Sequence, residues 1–278
     1  MTESCFMSTN LAFRYASVET FFKMIENQEL WFTDLRNMND PEEYSAGYEI
    51  VKRIINEEFP DCIRLLEEVS PNKIDENFKI LICCFCSDGD RSNMWSEYGD
   101  NGKGVAIGYD KNIITQNHIL ARFEEHFQPI SGRVVFHPVI YSEELFREYV
   151  RNALHDYINR SSLNIKYARG ILHAHLIRLC SLYKRESFEC ENEVRGLIEV
   201  DERTFPPYKL EKRSTDYGIA YYTKVKFTCN NITAIREIVL GPLFEQSDEQ
   251  LRSKLDDLGL KNIKIRRSIC TYNDVVNL

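Results

Sequence analysis

The stretch from Lys79 to Tyr109, KILICCFCSDGDRSNMWSEYGDNGKGVAIGY, constrains the fold more than any other part of the chain. Its apolar run at 80–86 is too short for a lone helix and is rich in Ile, Phe and Cys, which predicts a strand buried on both faces. The Ser-Asp-Gly-Asp that follows is typical of a turn and a helix cap. A short helix with Trp95 and Tyr98 on one face comes next, and three glycines lead into a strand at 105–109. The sequence therefore predicts a strand, an aromatic helix, a glycine turn and a second strand.

The remaining segments predict an α+β fold. Strands interrupted by clumps of helices, rather than strict alternation, favour α+β over a doubly wound sheet. We expect one domain over residues 1–278, with a helical insertion at about 142–183. The predicted helices are 18–27, 44–69 (broken by a proline), 113–128, 143–158, 163–182 and 248–258. The predicted strands are 10–15, 29–33, 133–141, 188–194, 235–240 and 263–269, with a basic loop or flap at 206–218.

Composition excludes some classes of protein. The formal charge of −8 argues against a broad nucleic-acid-binding face, because such faces need clustered Lys and Arg. No apolar stretch reaches the roughly 18–20 residues of a membrane span, and the N-terminus lacks a signal layout. The nine cysteines, with Cys83 adjacent to Cys84, indicate reduced thiols rather than a disulfide framework. We therefore expect a cytoplasmic protein without a membrane partner.

Two common kinds of site are not predicted. Gly99, Gly102 and Gly104 do not have the G-x-G-x-x-G spacing, and their turn joins a helix to a strand rather than a strand to a helix, which excludes a Rossmann site. Cys83 and Cys84 point to opposite faces of a strand and have no C-x-x-C partner downstream. Buried thiols explain them better, and no metal site is predicted.

Three glutamates, Glu189, Glu191 and Glu193, alternate with other residues. On a strand all three would share one face, where like charges repel unless the face meets solvent or a cation. An exposed edge strand with a solvated face is one interpretation. The other is a set of carboxylates that stabilises developing positive charge in a cleft.

Other candidate side chains also have two interpretations. Arg14 in the first strand is either a surface or ion-paired arginine, or a bidentate clamp for phosphate or carboxylate. Trp95 and Tyr98 are either core aromatics or a stacking platform for a planar ligand.

The order of these pieces resembles a bacterial family catalogued as domain of unknown function 2971. The resemblance covers most of the chain, and Phe188 stands where a tryptophan is expected. It is carried, in chain order, by Arg14-Tyr15, Asn39-Asp40-Pro41-Glu42, Cys86-Ser87, Met94-Trp95-x-x-Tyr98, Gly104-Val105-Ala106-Ile107, Lys184 ahead of Phe188-Glu189-Cys190-Glu191-Asn192-Glu193-Val194-Arg195, Ile238-Val239-Leu240-Gly241-Pro242 and Ile265-Arg266-Arg267-Ser268.

The same order is similar to that of the ADP-ribosyltransferases. That superfamily places an Arg or His on its first strand, a Ser or Tyr at the end of a middle strand, and a Glu, often within Glu-x-Glu, on a later strand. The matching positions are Arg14, Ser87 and Glu191-x-Glu193. The resemblance implies a mixed or antiparallel split β-sheet core with the helical insertion.

The resemblance also implies a function. NAD would be the substrate, and its ADP-ribose would pass to a protein, a nucleic acid, a small molecule or water. By analogy, the setting is a toxin or an antiphage defence effector. The implied catalytic residues are Glu193 (catalytic carboxylate), Glu191 (orienting the acceptor) and Ser87. Which of Glu189, Glu191 and Glu193 is the catalytic carboxylate stays open at the level of sequence. The implied NAD-binding residues are Arg14, Tyr15, Trp95 and Tyr98.

Two alternatives remain open at the level of sequence. A module of the same fold would bind a nucleotide without turnover, acting as a sensor. A nucleic-acid-processing effector would contact phosphate through the basic segments 209–213 and 261–267.

Overall fold

The computed structural model describes residues 10–37, 42–71, 78–126, 132–161, 164–201, 210–215 and 218–271. The family-like residues Asn39, Asp40 and Pro41 lie outside this part of the chain. The helices are α1 (Val18–Asn27), α2 (Glu42–Glu58), α3 (Arg64–Val69), α4 (Ser92–Glu97), α5 (Lys111–His126), α6 (Glu143–Ser161), α7 (Ile165–Leu182) and α8 (Asp248–Asp257). The strands are β1 (Leu11–Ala16), β2 (Glu29–Asp34), β3 (Phe78–Cys86), β4 (Val105–Asp110), β5 (Val135–Pro138), β6 (Glu193–Asp201), β7 (Glu211–Thr215), β8 (Gly218–Lys226), β9 (Thr228–Cys229), β10 (Ile232–Thr233), β11 (Ile235–Leu240) and β12 (Lys264–Arg267). Short 3₁₀ helices occupy Leu35–Asn37, Pro60–Cys62 and Glu186–Glu191.

Ten of the described strands form one mixed sheet. Its order is β12-β11-β4-β1-β3-β2-β8-β7, with β6 on β3 and β5 on β6. The pair β11 and β12 is parallel, and the other pairs of this sheet are antiparallel. The expected α+β class with a mostly antiparallel mixed sheet is therefore confirmed.

The sheet divides along one edge of β3. Strand β6 pairs with β3 over its whole length, so β1 and β2 must share the opposite edge. On that edge Phe13 of β1 pairs with Cys86, and Thr33 of β2 pairs with Ile82. No register pair joins residues 83–85 to either β1 or β2, so the two strands diverge there and leave a gap in the sheet.

Helices cover the sheet through two large apolar clusters. One buries residues of α1, α5 and α8 against the central strands, including Phe21, Ile114 and Leu251. The other packs α2, α3, α6 and α7 together and reaches β3 through Ile80 and Ile82. The predicted insertion is thus a helix pair that shares its core with α2 and α3. Whether the chain forms a single domain stays a prediction.

The unit that organises the chain has the predicted form. Strand β3 leads through a turn into α4, and a tight turn returns the chain as β4. The turn needs glycine at two positions. A Cβ on Gly104 would lie 2.2 Å from the carbonyl oxygen of Ala16, and Gly102 adopts a φ of 84°, in the region that favours glycine. Within the described residues, no helix is long and apolar enough to cross a membrane.

Asp90, in the turn before α4, joins this unit to the edge of the sheet. Its carboxylate accepts hydrogen bonds from the Trp95 indole N–H at 2.8 Å, from the Ile269 N–H at 2.8 Å and from the Ser268 hydroxyl. Arg266 of β12 also donates to it, at 3.2 Å. Burial raises the pKa of Asp90, but the hydrogen bonds from Ser268, Ile269 and Trp95 outweigh burial and hold the pKa below its usual value.

We expect Asp90→Asn to lower the free energy of unfolding at pH 7 by about 2 kcal/mol, because hydrogen bonds to a charged acceptor are lost. A depressed carboxyl pKa stabilises the fold above the unfolded-state pKa of about 3.9, and this stabilisation disappears as pH falls through the folded-state pKa. The difference between wild type and variant, measured by urea unfolding, should therefore shrink below about pH 4. The exposed Asp257→Asn in α8 is the control, and equal losses in both variants would contradict the assignment.

Candidate functional site

A cavity of about 440 Å³ lies where β1 and β2 diverge along β3. Five of the seven predicted site residues line it, and they come from separate parts of the chain. They are Arg14 and Tyr15 of β1, Tyr98 after α4, Glu191 at the end of a 3₁₀ helix and Glu193 at the start of β6. The fold therefore brings the predicted arginine and two of the predicted carboxylates into one concave site.

The other two predicted residues do not line the cavity. Trp95 is fully buried beneath Tyr15, with the ring centroids 4.7 Å apart in an edge-on arrangement. It supports the cavity wall and does not offer a ring to a ligand there. Ser87 follows the last residue of β3 and is absent from the cavity lining. Its N–H donates to the carbonyl oxygen of Asn192 at 2.9 Å.

Arg14 spans the gap in the sheet. Its Nη1 donates to the carbonyl oxygen of Cys84 at 2.9 Å and contacts the Cys83 sulfur at 3.4 Å. The side chain thus donates a hydrogen bond to a carbonyl group in the part of β3 where neither β1 nor β2 provides a register partner. Because a guanidinium has five N–H donors in a fixed plane, this bond orients the group while leaving donors for an anion.

The prediction that Glu189, Glu191 and Glu193 share one strand face is wrong. Glu189 and Glu191 lie in the 3₁₀ helix, which ends at Asn192 in the left-handed conformation with a φ of 48°. Only Glu193 belongs to β6, so the three side chains do not follow the two-residue period of a strand. Glu189 is exposed and is absent from the cavity lining, which leaves Glu191 and Glu193 as the site carboxylates.

Two basic side chains neutralise these carboxylates. Lys184 Nζ lies 2.6 Å from Glu191 Oε2 and 3.3 Å from Glu193 Oε2, and it also lies 4.8 Å from the Phe188 ring centroid. Arg195 donates to both carboxylate oxygens of Glu193, at 2.9 and 3.2 Å. The repulsion expected from the sequence is therefore relieved by a buried cation between the two groups.

The protonation states follow from these contacts. Burial raises the pKa of Glu193, but Arg195, Lys184 and the Cys84 thiol outweigh burial and hold the pKa below its usual value. Burial and the nearby charge of Glu191 raise the pKa of Tyr98 to about 12. At neutral pH the site thus offers an ionised Glu193 and a neutral Tyr98 phenol that can donate a hydrogen bond.

Among the cavity residues that sequence reasoning missed are Trp31 of β2 and Arg213 of β7. Trp31 stacks on Tyr222, with the ring centroids 4.5 Å apart and an interplanar angle of 26°. The Arg213 guanidinium carbon lies 5.6 Å from the Trp31 centroid and 5.9 Å from the Tyr222 centroid. Arg213 falls in the segment predicted as a loop, and the structure corrects this to a strand paired with β8. The available signal in the sequence was strand alternation, which places Trp31 on the same face as Thr33 and opposite Leu30 and Phe32.

Among the described residues, no group of three or more His, Cys, Asp or Glu side chains is arranged to hold a metal ion. The charged residues of the cavity lining are Arg14, Lys184, Arg213, Glu191 and Glu193. Three cations beside two carboxylates, with aromatic rings around them, can bind an anionic planar ligand and stabilise a developing positive charge at one point.

We expect Glu193→Gln to lower the free energy of unfolding at pH 7 by about 3 kcal/mol, because Arg195 would remain as an uncompensated buried charge. Since the folded-state pKa of Glu193 is depressed, the loss should diminish as pH falls below about 4. Urea unfolding measures both effects. The double variant Glu193→Gln/Arg195→Met should recover most of the loss, and no recovery would show that the ion pair is not the cause.

Comparison with known proteins supports the predicted resemblance over part of the chain. No curated protein and no solved structure matches the chain. A family model does match, and its segment begins in α4 and ends in β6, so it includes Tyr98, Glu191 and Glu193 but not Arg14. Residues 94–196 of the chain match the family described as protein of unknown function (DUF2971), as the order of the motifs predicts.

Proposed function

We propose that the protein is an ADP-ribosyltransferase-like enzyme that binds NAD in the cavity, cleaves its nicotinamide–ribose bond and transfers ADP-ribose to an acceptor. One observation carries the proposal. Arg14, Tyr98, Glu191 and Glu193, from four separate segments, line one cavity at a gap in the sheet. The split sheet also supports the fold type that the resemblance implies.

The proposed chemistry places the carboxylates beside the reacting ribose. As the bond between ribose C1′ and the nicotinamide nitrogen breaks, its electron pair neutralises the pyridinium, and positive charge develops on the ribose. The ionised Glu193 stabilises that charge more in the transition state than in the ground state. Arg195 and Lys184 hold Glu193 in place, which limits its reorganisation during the reaction.

Glu191 orients the acceptor in this proposal. An acceptor nucleophile forms the new bond to C1′ and releases a proton, which a carboxylate in contact with it accepts. Glu191 is the more exposed of the two site carboxylates, with 17 % of its side chain accessible against 6 % for Glu193. It can therefore meet an acceptor at the mouth of the cavity, whether a protein, a nucleic acid, a small molecule or water.

The proposed nicotinamide pocket differs from the one that the resemblance implies. Ser87 and Trp95 are outside the cavity lining, whereas Tyr98 and Phe188 belong to it. Phe188 occupies the position where the family-like pattern expects a tryptophan. We propose that these two rings enclose the nicotinamide, with Arg14 as the clamp for the pyrophosphate. A cytoplasmic toxin or antiphage defence effector remains the proposed setting, by analogy alone.

A nucleotide-binding sensor without turnover is the second candidate. It is supported by the ion pairs of Lys184 with both site carboxylates, at 2.6 and 3.3 Å. Because Lys184 neutralises their charge, this side of the cavity would repel an anionic nucleotide less. A nucleic-acid effector gains no such support. Lys264 and Arg266 pair with Glu237, Arg267 pairs with Asp248, and Lys209 of the other basic segment lies outside the described residues.

We expect the purified protein, with cell lysate or RNA supplied as an acceptor source, to release nicotinamide from NAD. Glu193→Gln should lower the rate at least about 100-fold, because it removes an electrostatic stabiliser of the transition state. Glu191→Gln should lower transfer to acceptor more than it lowers hydrolysis. Liquid chromatography of nicotinamide measures the rate, and calorimetry checks that both variants still bind NAD.

Glu189→Gln is the matched control, because Glu189 lies in the same 3₁₀ helix as Glu191 but is exposed and outside the cavity lining. Its rate should equal that of wild type. NAD binding without release under any condition would favour the sensor, and absence of both binding and release would overturn the proposal.

A further inference from the structure

Trp31, Thr33, Tyr222 and Arg213 lie on one face of the sheet beyond the gap. The register pairs Thr33 with Tyr222 and Arg213 with Ala220, and residues two apart on a strand share a face. Trp31 is therefore the diagonal neighbour of Tyr222, which explains their stacking. Trp31 is nevertheless 43 % exposed, whereas Tyr222 is buried, so the accessible surface of the stacked pair belongs to Trp31.

Arg213 leaves the outer face of Trp31 open. The centroids of the Trp31 and Tyr222 rings are 4.5 Å apart. If the guanidinium were stacked on the outer face of Trp31, its distance to the Tyr222 centroid would exceed its distance to the Trp31 centroid by roughly that amount. Its distances to the two centroids are instead 5.6 and 5.9 Å, so it lies beside the stacked pair. It donates to the Thr33 hydroxyl at 3.3 Å, which directs it toward the cavity. Among the described residues, no carboxylate forms an ion pair with Arg213.

Glu193, Arg14 and Arg213 follow one another along the gap in the sheet. In the strand register, Glu193 lies opposite Cys86 at one end of the gap, and Thr33 lies opposite Ile82 at the other end. Thr33 is also the residue whose hydroxyl accepts a hydrogen bond from Arg213. Cys86 and Ile82 are four residues apart, or about 13 Å along a strand. Arg14 lies between them, on the carbonyl oxygen of Cys84. Along the direction of β3, Arg14 thus lies between Glu193 and the Thr33 hydroxyl that binds Arg213.

We propose that Trp31 and Arg213 form a nucleotide subsite at the rim of the cavity, in which a nucleobase stacks on Trp31 and Arg213 binds phosphate. The proposal rests on the proposed NAD binding and assigns the AMP half of NAD to this end. A tryptophan face binds any base by stacking, and a guanidinium beside it supplies the fork that phosphate favours. Arg14 then meets the middle of the dinucleotide and Glu193 the ribose that reacts.

Tryptophan fluorescence tests the subsite directly, because the chain has two tryptophans and the other, Trp95, is buried. AMP, which lacks the nicotinamide half, should quench the emission on titration. Trp31→Phe should abolish the quenching while the emission of Trp95 remains as an internal reference. Calorimetry with AMP should show an affinity at least about tenfold weaker for Trp31→Ala, because base–aromatic stacking is lost.

Comparing the binding of AMP with that of adenosine tests the contact between Arg213 and phosphate. Arg213→Gln should weaken AMP binding about tenfold and leave adenosine binding unchanged, because only AMP carries the phosphate. Lys212→Gln is the matched control, since Lys212 adjoins Arg213 on β7 but faces Tyr221 on the opposite side of the sheet. Its affinity for AMP should equal that of wild type.

The outcomes separate this proposal from the proposed enzyme activity. Suppose that the protein cleaves NAD but that neither Trp31→Ala nor Arg213→Gln changes the affinity for AMP or NAD. This result would overturn the subsite and leave the proposed activity intact. AMP binding that both variants weaken, without NAD cleavage, would support the subsite and count against the activity. Failure of AMP to bind wild-type protein would overturn the subsite whatever the protein does to NAD.

Discussion

The buried guanidinium of Arg195 is the group on which the site depends. Only 1 % of it is exposed, so it needs the Glu193 carboxylate, and it also donates to the Ser181 carbonyl oxygen at 2.6 Å. These bonds fix the last turn of α7 to the first residues of β6. Because β6 pairs along all of β3, the ladder places Glu193 at one end of the gap, and Arg195 holds the end of α7 beside it.

The same arrangement gives the helical insertion a part in the site. Lys184 follows α7 directly, and its ammonium reaches both site carboxylates because α7 ends beside β6. The helix pair α6 and α7 is held by its apolar core with α2 and α3. Packing far from the cavity thus determines the position of a charge inside it, and the enclosed ion pairs lose little to screening by salt.

Local patterns predicted the helices and most of the other strands but missed β7 and β8, because a local pattern reports only on neighbours in sequence. The helix at 18–27, the buried run of β3 and the break near Pro60 all follow from short-range chemistry. The glutamate pattern failed because Asn192 takes a left-handed conformation, which resets the period between the 3₁₀ helix and β6. Trp95 is a core residue, and its indole N–H donates a hydrogen bond to Asp90, which is itself bound to a strand distant in sequence. Convergence of Arg14, Glu193 and Arg213 depends on strand order, which no local pattern contains.

Asp90 gives the edge of the sheet an influence on the cavity. Its partners Arg266 and Ser268 belong to β12 and the residue that follows it, and β12 is a four-residue strand at the margin of the sheet. Short edge strands open at lower free energy than a sheet's centre. Each opening of β12 would free Asp90, release the Trp95 indole and loosen the support under Tyr15. Fraying of an outer strand and order within the cavity are therefore coupled in one equilibrium, and any molecule that ordered the cavity would also protect the edge.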